Sequence, residues 1–192
     1  MSKLCHLMPK DKFVLLCNGL FYSKLLYCLQ VFANCWCDPN LDESVRRFPA
    51  FTRNDNAKLQ VLQNKVMRLK CGLPFDTPTT KLIEVTGDLS VQQLTAYMTL
   101  TTAHRAIVKK QPRYFASKLK LRTRENIPVL PDRHQFTFDI SSRLTIVRGG
   151  FFYRSASLFN KLPLVLRSCM NPKEFKSKVK DWLRSNVPMK PE

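Results

Sequence analysis

Apolar residues recur along this chain at helical rather than strand spacing, in segments punctuated by proline and glycine. From Phe13 to Trp36 the only charge is Lys24, and apolar side chains run all round the wheel. That pattern belongs to a helix buried on every side or to a membrane span. Lys24 would cost about 2.5–3.5 kcal/mol at the centre of a bilayer. Asn18, Gln30 and Asn34 add further polar groups, so burial is favoured, and Cys37-Asp-Pro-Asn ends the element. After a polar connector over 38–54, Leu59, Leu62, Val66 and Leu69 form the apolar stripe of a helix reaching Cys71. Its outer face carries Lys58, Lys65 and Arg68, and Gly72 with Pro74 closes it. Thr77-Pro78 opens a shorter helix ending at Gly87, and Ser90 with Gln93 makes a capping box for a long one reaching about Lys110. Gln92, Thr95, Thr99, Thr102 and Lys109 form its polar strip. His104 falls on its wide apolar face, the setting of a packed or hydrogen-bonded histidine rather than a catalytic one.

Pro112 begins a short basic helix, PRYFASKLKLR, and residues 122–135 read as a loop. Phe136, Phe138 and Ile140 alternate with polar residues and Leu144-Thr-Ile-Val follows, which predicts two short strands around Ser141-Ser142. Gly149-Gly150 is a hinge before an aromatic, basic opening, Phe151 to Arg154, that leads into SASLFNKLP, a helix stopped by Pro163. Asn171 then caps a terminal helix, with Pro172 at its first position and Glu174 three residues past the cap. On its wheel Phe175, Val179 and Trp182 share one face, and Lys173, Lys176, Lys180 and Arg184 share the neighbouring face. The fold class is mainly α: a helical bundle with at most a small late β-hairpin. Helices are expected near 11–36, 56–71, 78–86, 90–110 and 172–186. The chain divides into a helical bundle over 1–120, a loop and short hairpin over 121–150, and a basic helical segment over 151–192.

Charge changes this picture more than composition does. A 44% hydrophobic share over 192 residues is enough for a real core. Against 14 acidic side chains stand 32 basic ones, a net charge of +18. Residues 101–192 hold 20 basic and 6 acidic side chains, a net of +14, against +4 for residues 1–100. A basic half of that size suits a polyanion, nucleic acid first, whereas the bland reading is a solvated basic surface. Seven cysteines, an odd number, lie mostly in apolar helical contexts, and the N-terminus lacks a secretory pattern. Reduced, buried thiols and an intracellular location, nuclear or cytoplasmic and not secreted, are the expectation. Cys35-Trp-Cys37 has no second pair or histidine at ligand spacing, so no metal is expected.

The sequence offers no catalytic residues. It holds no glycine-rich phosphate loop, no His-Glu-x-x-His and no Gly-x-Ser-x-Gly. Asp38, Asp42 and Glu43 cluster on a turn-rich connector, the usual place of a solvated acidic loop. A polymerase palm needs paired aspartates for two metal ions, and no Asp-Asp pair is present. No cofactor and no small-molecule substrate are expected.

The string SLFNKLPLVLRS followed by EFKSKVKDWL resembles the C-terminal end of the reverse transcriptase of non-LTR, LINE-type (jockey-like) retrotransposons, where an aromatic-Asn-x-Leu-Pro unit precedes a Phe-Lys-rich terminal helix. Residues 15–36, with Ser23, Leu25 and Tyr27, resemble the long thumb helix of those enzymes. Residues 59–72, with Leu62, Gln63, Asn64 and Arg68, resemble the helix after it. Thr77-Pro78, Leu89-Ser-Val and the Pro-x-Tyr-Phe turn at 112–115 resemble the next block, and the order agrees throughout. The resemblance implies a place downstream of the palm, in a thumb-like bundle and tail that grip template or primer. Fingers, palm and endonuclease have no counterpart in this stretch, so polymerase activity does not carry over.

The reading is therefore a polymerase-less C-terminal remnant of such a reverse transcriptase, binding RNA or DNA without sequence preference. Lys173, Lys176, Lys180 and Arg184 would meet phosphates, helped by Arg148, Arg154 and Arg167. The rival reading is a helical protein-interaction module whose Phe151–Trp182 surface docks on a palm-like domain, with no nucleic-acid role.

Overall fold

A computed structural model describes residues 7–27, 29, 53–122, 135–139 and 151–186. Among these the protein is mainly α, with one two-stranded antiparallel sheet. The helices are α1 (Lys10–Cys17), a π-helical turn (Asn18–Tyr22), α2 (Ser23–Leu26), α3 (Arg53–Cys71), α4 (Thr79–Thr86), α5 (Val91–Lys109) and α6 (Arg113–Lys118). Strands β1 (Leu121–Arg122) and β2 (Thr137–Phe138) follow, then α7 (Phe151–Asn160), α8 (Leu164–Arg167) and α9 (Pro172–Asn186).

Helix ends follow local chemistry. Gly72 (φ 66°) turns the chain after α3, and the Leu73 amide donates to the Arg68 carbonyl at 3.0 Å, a Schellman closure that needs a left-handed residue. Gly87 (φ 64°) ends α4 with its amide on the Ile83 carbonyl. The Ser90–Gln93 capping box is present at the start of α5. Asn171 caps α9 by accepting from the Lys173 amide at 3.0 Å, whereas Glu174 pairs with Lys178 one turn on.

The main core joins α5 to the C-terminal elements. Leu100, Ala103 and Ala106 of α5 meet Phe159, Leu162 and Leu166, and Phe175, Val179 and Leu183 of α9. The α5–α9 pairing is antiparallel: His104 stacks on Phe175 at 3.8 Å, and Gln93 Nε2 donates to the Leu183 carbonyl at 3.3 Å. Burying a side chain of this kind contributes about 1.5–3 kcal/mol. His104 is thus both packed and bonded, its Nε2 lying 2.7 Å from the Cys169 carbonyl. Burial, partly opposed by that bond, lowers its pKa.

The α1–α4 end is held by polar groups as well as apolar ones. Gln63 donates to the Leu89 carbonyl at 2.7 Å, Gln60 accepts from the Val91 amide at 2.8 Å, and Asn64 donates to Thr79 Oγ1 at 2.8 Å. The Tyr22 hydroxyl and the Lys70 ammonium both donate to Asp88 Oδ2, at 2.7 and 3.0 Å. Burial, and then the bond to Asp88, raises the Tyr22 pKa.

Four expectations change. The α3 stripe is rotated: Gln63, Asn64, Val66 and Met67 are buried, while Leu62 is 48% exposed. The two amides can face inward because the Leu89 carbonyl receives Gln63, while Asn64 donates to the Thr79 hydroxyl and accepts from Gln60. On α5, Thr95 and Thr99 are buried, each donating to the carbonyl four residues back, so their hydroxyls enter the core already bonded. The first helix is buried on one side only, and the expected continuous run over 11–36 is broken after Leu26, where Tyr27 turns extended (ψ 116°). Phe13 and Cys17 pack on Val66, whereas Leu15 is 70% exposed and Leu20 is exposed. Finally, β2 pairs with β1, Leu121 opposite Phe138, so part of the expected basic helix is a strand and α6 stops at Lys118. The expected partner strand at 144–147, the helix beyond residue 29, the Asp38–Glu43 cluster, the Cys35–Cys37 pair and the 149–150 hinge lie outside the described residues.

The FNKLP string has a structural account. Phe159 and Leu162 are buried in the main core, and Pro163 starts α8. Asn160 accepts from the Phe138 amide at 2.7 Å and donates to the Phe138 carbonyl at 3.0 Å. Its amide acts as one more strand beside β2.

Candidate nucleic-acid interface

Helix α9 presents three distinct faces. Phe175, Val179 and Leu183 are fully buried, and Trp182 packs at the margin of the core as a partly buried ring. Leu183, not Trp182, is therefore the third member of the inward row. At 100° per residue, Lys173, Lys176, Lys180 and Arg184 fall within an arc of about 80°, beside the buried face rather than opposite it. The outermost line holds Glu174, Ser177 and Asp181 instead. These acids are engaged by the helix itself: Glu174 with Lys178 at 2.6 Å and Asp181 with Arg184 at 3.5 Å. The Lys178 bond and charge hold the Glu174 carboxyl below its usual range.

Lys173 and Lys176 are exposed and Lys180 is half-buried. Among the described residues none of the three enters an ion pair. Their row, with Arg184 included, spans about 16 Å at 1.5 Å per residue. Arg184 is more constrained, since it also donates to the Gly87 carbonyl and so ties α9 to the turn after α4.

The three supporting arginines do not join this row. Arg154 is 9% exposed, on the face of α7 that carries Ser155, Ala156, Leu158 and Phe159 into the core. Arg167 is equally buried and donates to the Gln135 carbonyl at 2.9 Å. Burial lowers its pKa. Both side chains sit inside the fold, where phosphate cannot reach them without rearrangement. Arg148 lies outside the described residues.

A second group of cations was not singled out by spacing. Arg105, Lys109 and Lys110 at the end of α5, Arg113 and Lys118 of α6, and Lys120 beyond it are all exposed. No Asp or Glu occurs between Arg105 and Lys120, so the signal was available as a run of one sign broken by Pro112. Tyr114, in their midst, is 61% exposed. Its ring stands edge-on to Phe152 with centroids 5.5 Å apart, while Phe115 packs inward against Phe151 and Phe152.

Among the described residues, no three His, Cys, Asp or Glu side chains come together as a metal site. No helix among them is long and apolar enough to cross a membrane. An open groove on α3, lined by Ala57, Lys58, Val61 and Leu62, carries no cluster of acid, base or nucleophile. No known protein family's model matches this chain, and neither a curated protein nor a solved structure matches it.

Proposed function

We propose that this chain is the thumb-and-tail segment of a LINE-type, jockey-like non-LTR reverse transcriptase, and that it grips the backbone of RNA or DNA without reading sequence. One observation carries the reading. Lys173, Lys176 and Lys180 stand in a row along a helix whose adjoining face is locked into the core, and both acids of that helix are engaged by other cations. Phosphate contacts from such a row position a strand and carry no base information. The segment holds template or primer and leaves catalysis to a palm domain.

A second reading, a module that docks on a palm-like domain, is favoured by Leu164, Val165 and Met170, which are exposed together around α8. The two readings separate in a salt titration of binding to labelled RNA and DNA. Changing Lys176 and Lys180 together to Gln is expected to reduce the log–log salt slope by about 1.4 for single strands and about 1.8 for duplex DNA. Gln is a good helix former, so far-ultraviolet circular dichroism should be unchanged. An unaltered slope and affinity removes α9 as the nucleic-acid surface and leaves the docking module.

A further inference from the structure

We infer that the corner between α5 and α6 is a second contact surface, and that it takes single-stranded RNA or DNA, with the Tyr114 ring stacking on an unpaired base while the surrounding cations meet the flanking phosphates. The inference rests on the nucleic-acid reading above and adds a strand form to it.

Three features converge. The first is charge: six cations and no acid lie between Arg105 and Lys120, all of them exposed and none in an ion pair among the described residues. The second is an aromatic ring held out to solvent in the middle of that charge. An exposed tyrosine beside a core normally turns inward, as Phe115 does one position on; Tyr114 instead rests one edge on Phe152 and leaves much of its ring open. Contact with Phe152 orients the ring, so a base would meet a fixed platform rather than a freely rotating side chain. The third is the local placement of Lys118, whose ammonium lies 5.9 Å from the centre of the Tyr114 ring. That is the outer limit of a cation–π contact. A strand whose base stacks on Tyr114 carries its phosphate within reach of this ammonium and of Arg113.

Strand form follows from geometry. A duplex keeps its bases stacked on one another and offers an exposed protein ring no free base face, while its phosphates remain available to any cation. A single strand offers both, and stacking on an aromatic side chain tolerates every base. The corner thus differs from the α9 row, which has lysines but no exposed ring beside them and has no means to prefer one form.

The test uses the whole chain and fluorescein-labelled oligo-dT, oligo-rU and a blunt DNA duplex of equal length, read by anisotropy. Tyr114→Ala should weaken both single strands about 5- to 150-fold and leave the duplex unchanged. Tyr114→Phe should bind as wild type does. Lys110→Gln with Arg113→Gln should lower the single-strand salt slope by about 1.4. The oligo-dT and oligo-rU arms show whether RNA and DNA share the platform. If thermal melting shows that Tyr114→Ala disturbs the Phe152 contact, Tyr114→Leu keeps an apolar side chain there without an aromatic face. An equal loss on single strand and duplex, or no loss on any probe, overturns the inference while the α9 reading stands. Wild-type protein that binds none of the three probes overturns both.

Discussion

Asn160→Ala tests what fastens the small sheet to the helical body. Phe138 is almost wholly buried, and its amide and carbonyl both point to Asn160 rather than to β1. The β1–β2 pair uses other groups: the Phe136 amide on the Arg122 carbonyl at 2.9 Å and the Asp139 amide on the Lys120 carbonyl at 3.4 Å. Truncation therefore strands one buried donor and one buried acceptor, each costing about 1–3 kcal/mol. Asn160 is only half-buried, so water reaches the gap, and the expected loss is about 2–4 kcal/mol, in the lower part of that range. At about 2–4 °C per kcal/mol for a chain of this size, the melting temperature should fall by roughly 5–15 °C. Asn160→Asp sharpens the test. The carboxylate still accepts from the Phe138 amide but sets an anionic oxygen against the Phe138 carbonyl, where only a protonated acid can donate. Its folded-state pKa is then raised above the ordinary value of about 3.9. The folded form binds the proton more tightly than the unfolded chain, so the deficit is full at neutral pH and shrinks as pH falls through the raised pKa. Urea unfolding followed by tryptophan fluorescence measures both variants across pH. An Asn160→Ala protein within about 0.5 kcal/mol of wild type, or an Asp variant with no pH dependence beyond that of wild type, refutes the clamp.

Phe175→Ala should cost about 3–5 kcal/mol because its ring lies wholly inside the core. Trp182→Ala should cost clearly less, since that ring sits at the margin; denaturant unfolding of the two variants side by side checks the order. His104 has a lowered pKa through burial, so the unfolded chain takes up its proton first as pH falls below about 6.5. Stability should therefore decline from pH 7 toward pH 5, and His104→Gln should remove that part of the slope in urea titrations at each pH.

Local signals were legible where chemistry is local. Gly72, Gly87, the Ser90–Gln93 box and Asn171-Pro172 marked helix ends because each satisfies orphan backbone groups within a few residues. The mainly α class followed from them. What failed depended on distant partners. Gln63 and Asn64 look solvent-facing until the backbone at Leu89 and the Thr79 hydroxyl are seen to receive them. Thr95 and Thr99 are the local exception: their hydroxyls fold back on carbonyls of their own helix, which lets a polar strip enter the core. Strand β2 was recognised by alternation, but its partner lies some sixteen residues upstream of it, beyond any hairpin signal. At the candidate site the lysine row of α9 was visible from spacing. The burial of Arg154 and Arg167 was not, because a wheel shows which residues share a face and not which face meets the core.

The antiparallel union of α5 and α9 makes the basic helix a structural member rather than an appended tail, since Phe175, Val179 and Leu183 leave the core if it detaches. Under the proposed reading, recognition and folding would be thermodynamically linked. A polyanion that engages Lys173, Lys176 and Lys180 finds that row assembled only while the α5–α9 seam is closed, so each bound strand draws on the folded population of the whole body. At a ligand concentration of about 100 times Kd, that linkage adds about 2.7 kcal/mol to the resistance of the seam to opening. Amide protons of Leu100 and Ala103, buried on α5 and not on the lysine-bearing helix, should therefore exchange more slowly when nucleic acid is present, by the same free energy that holds the strand.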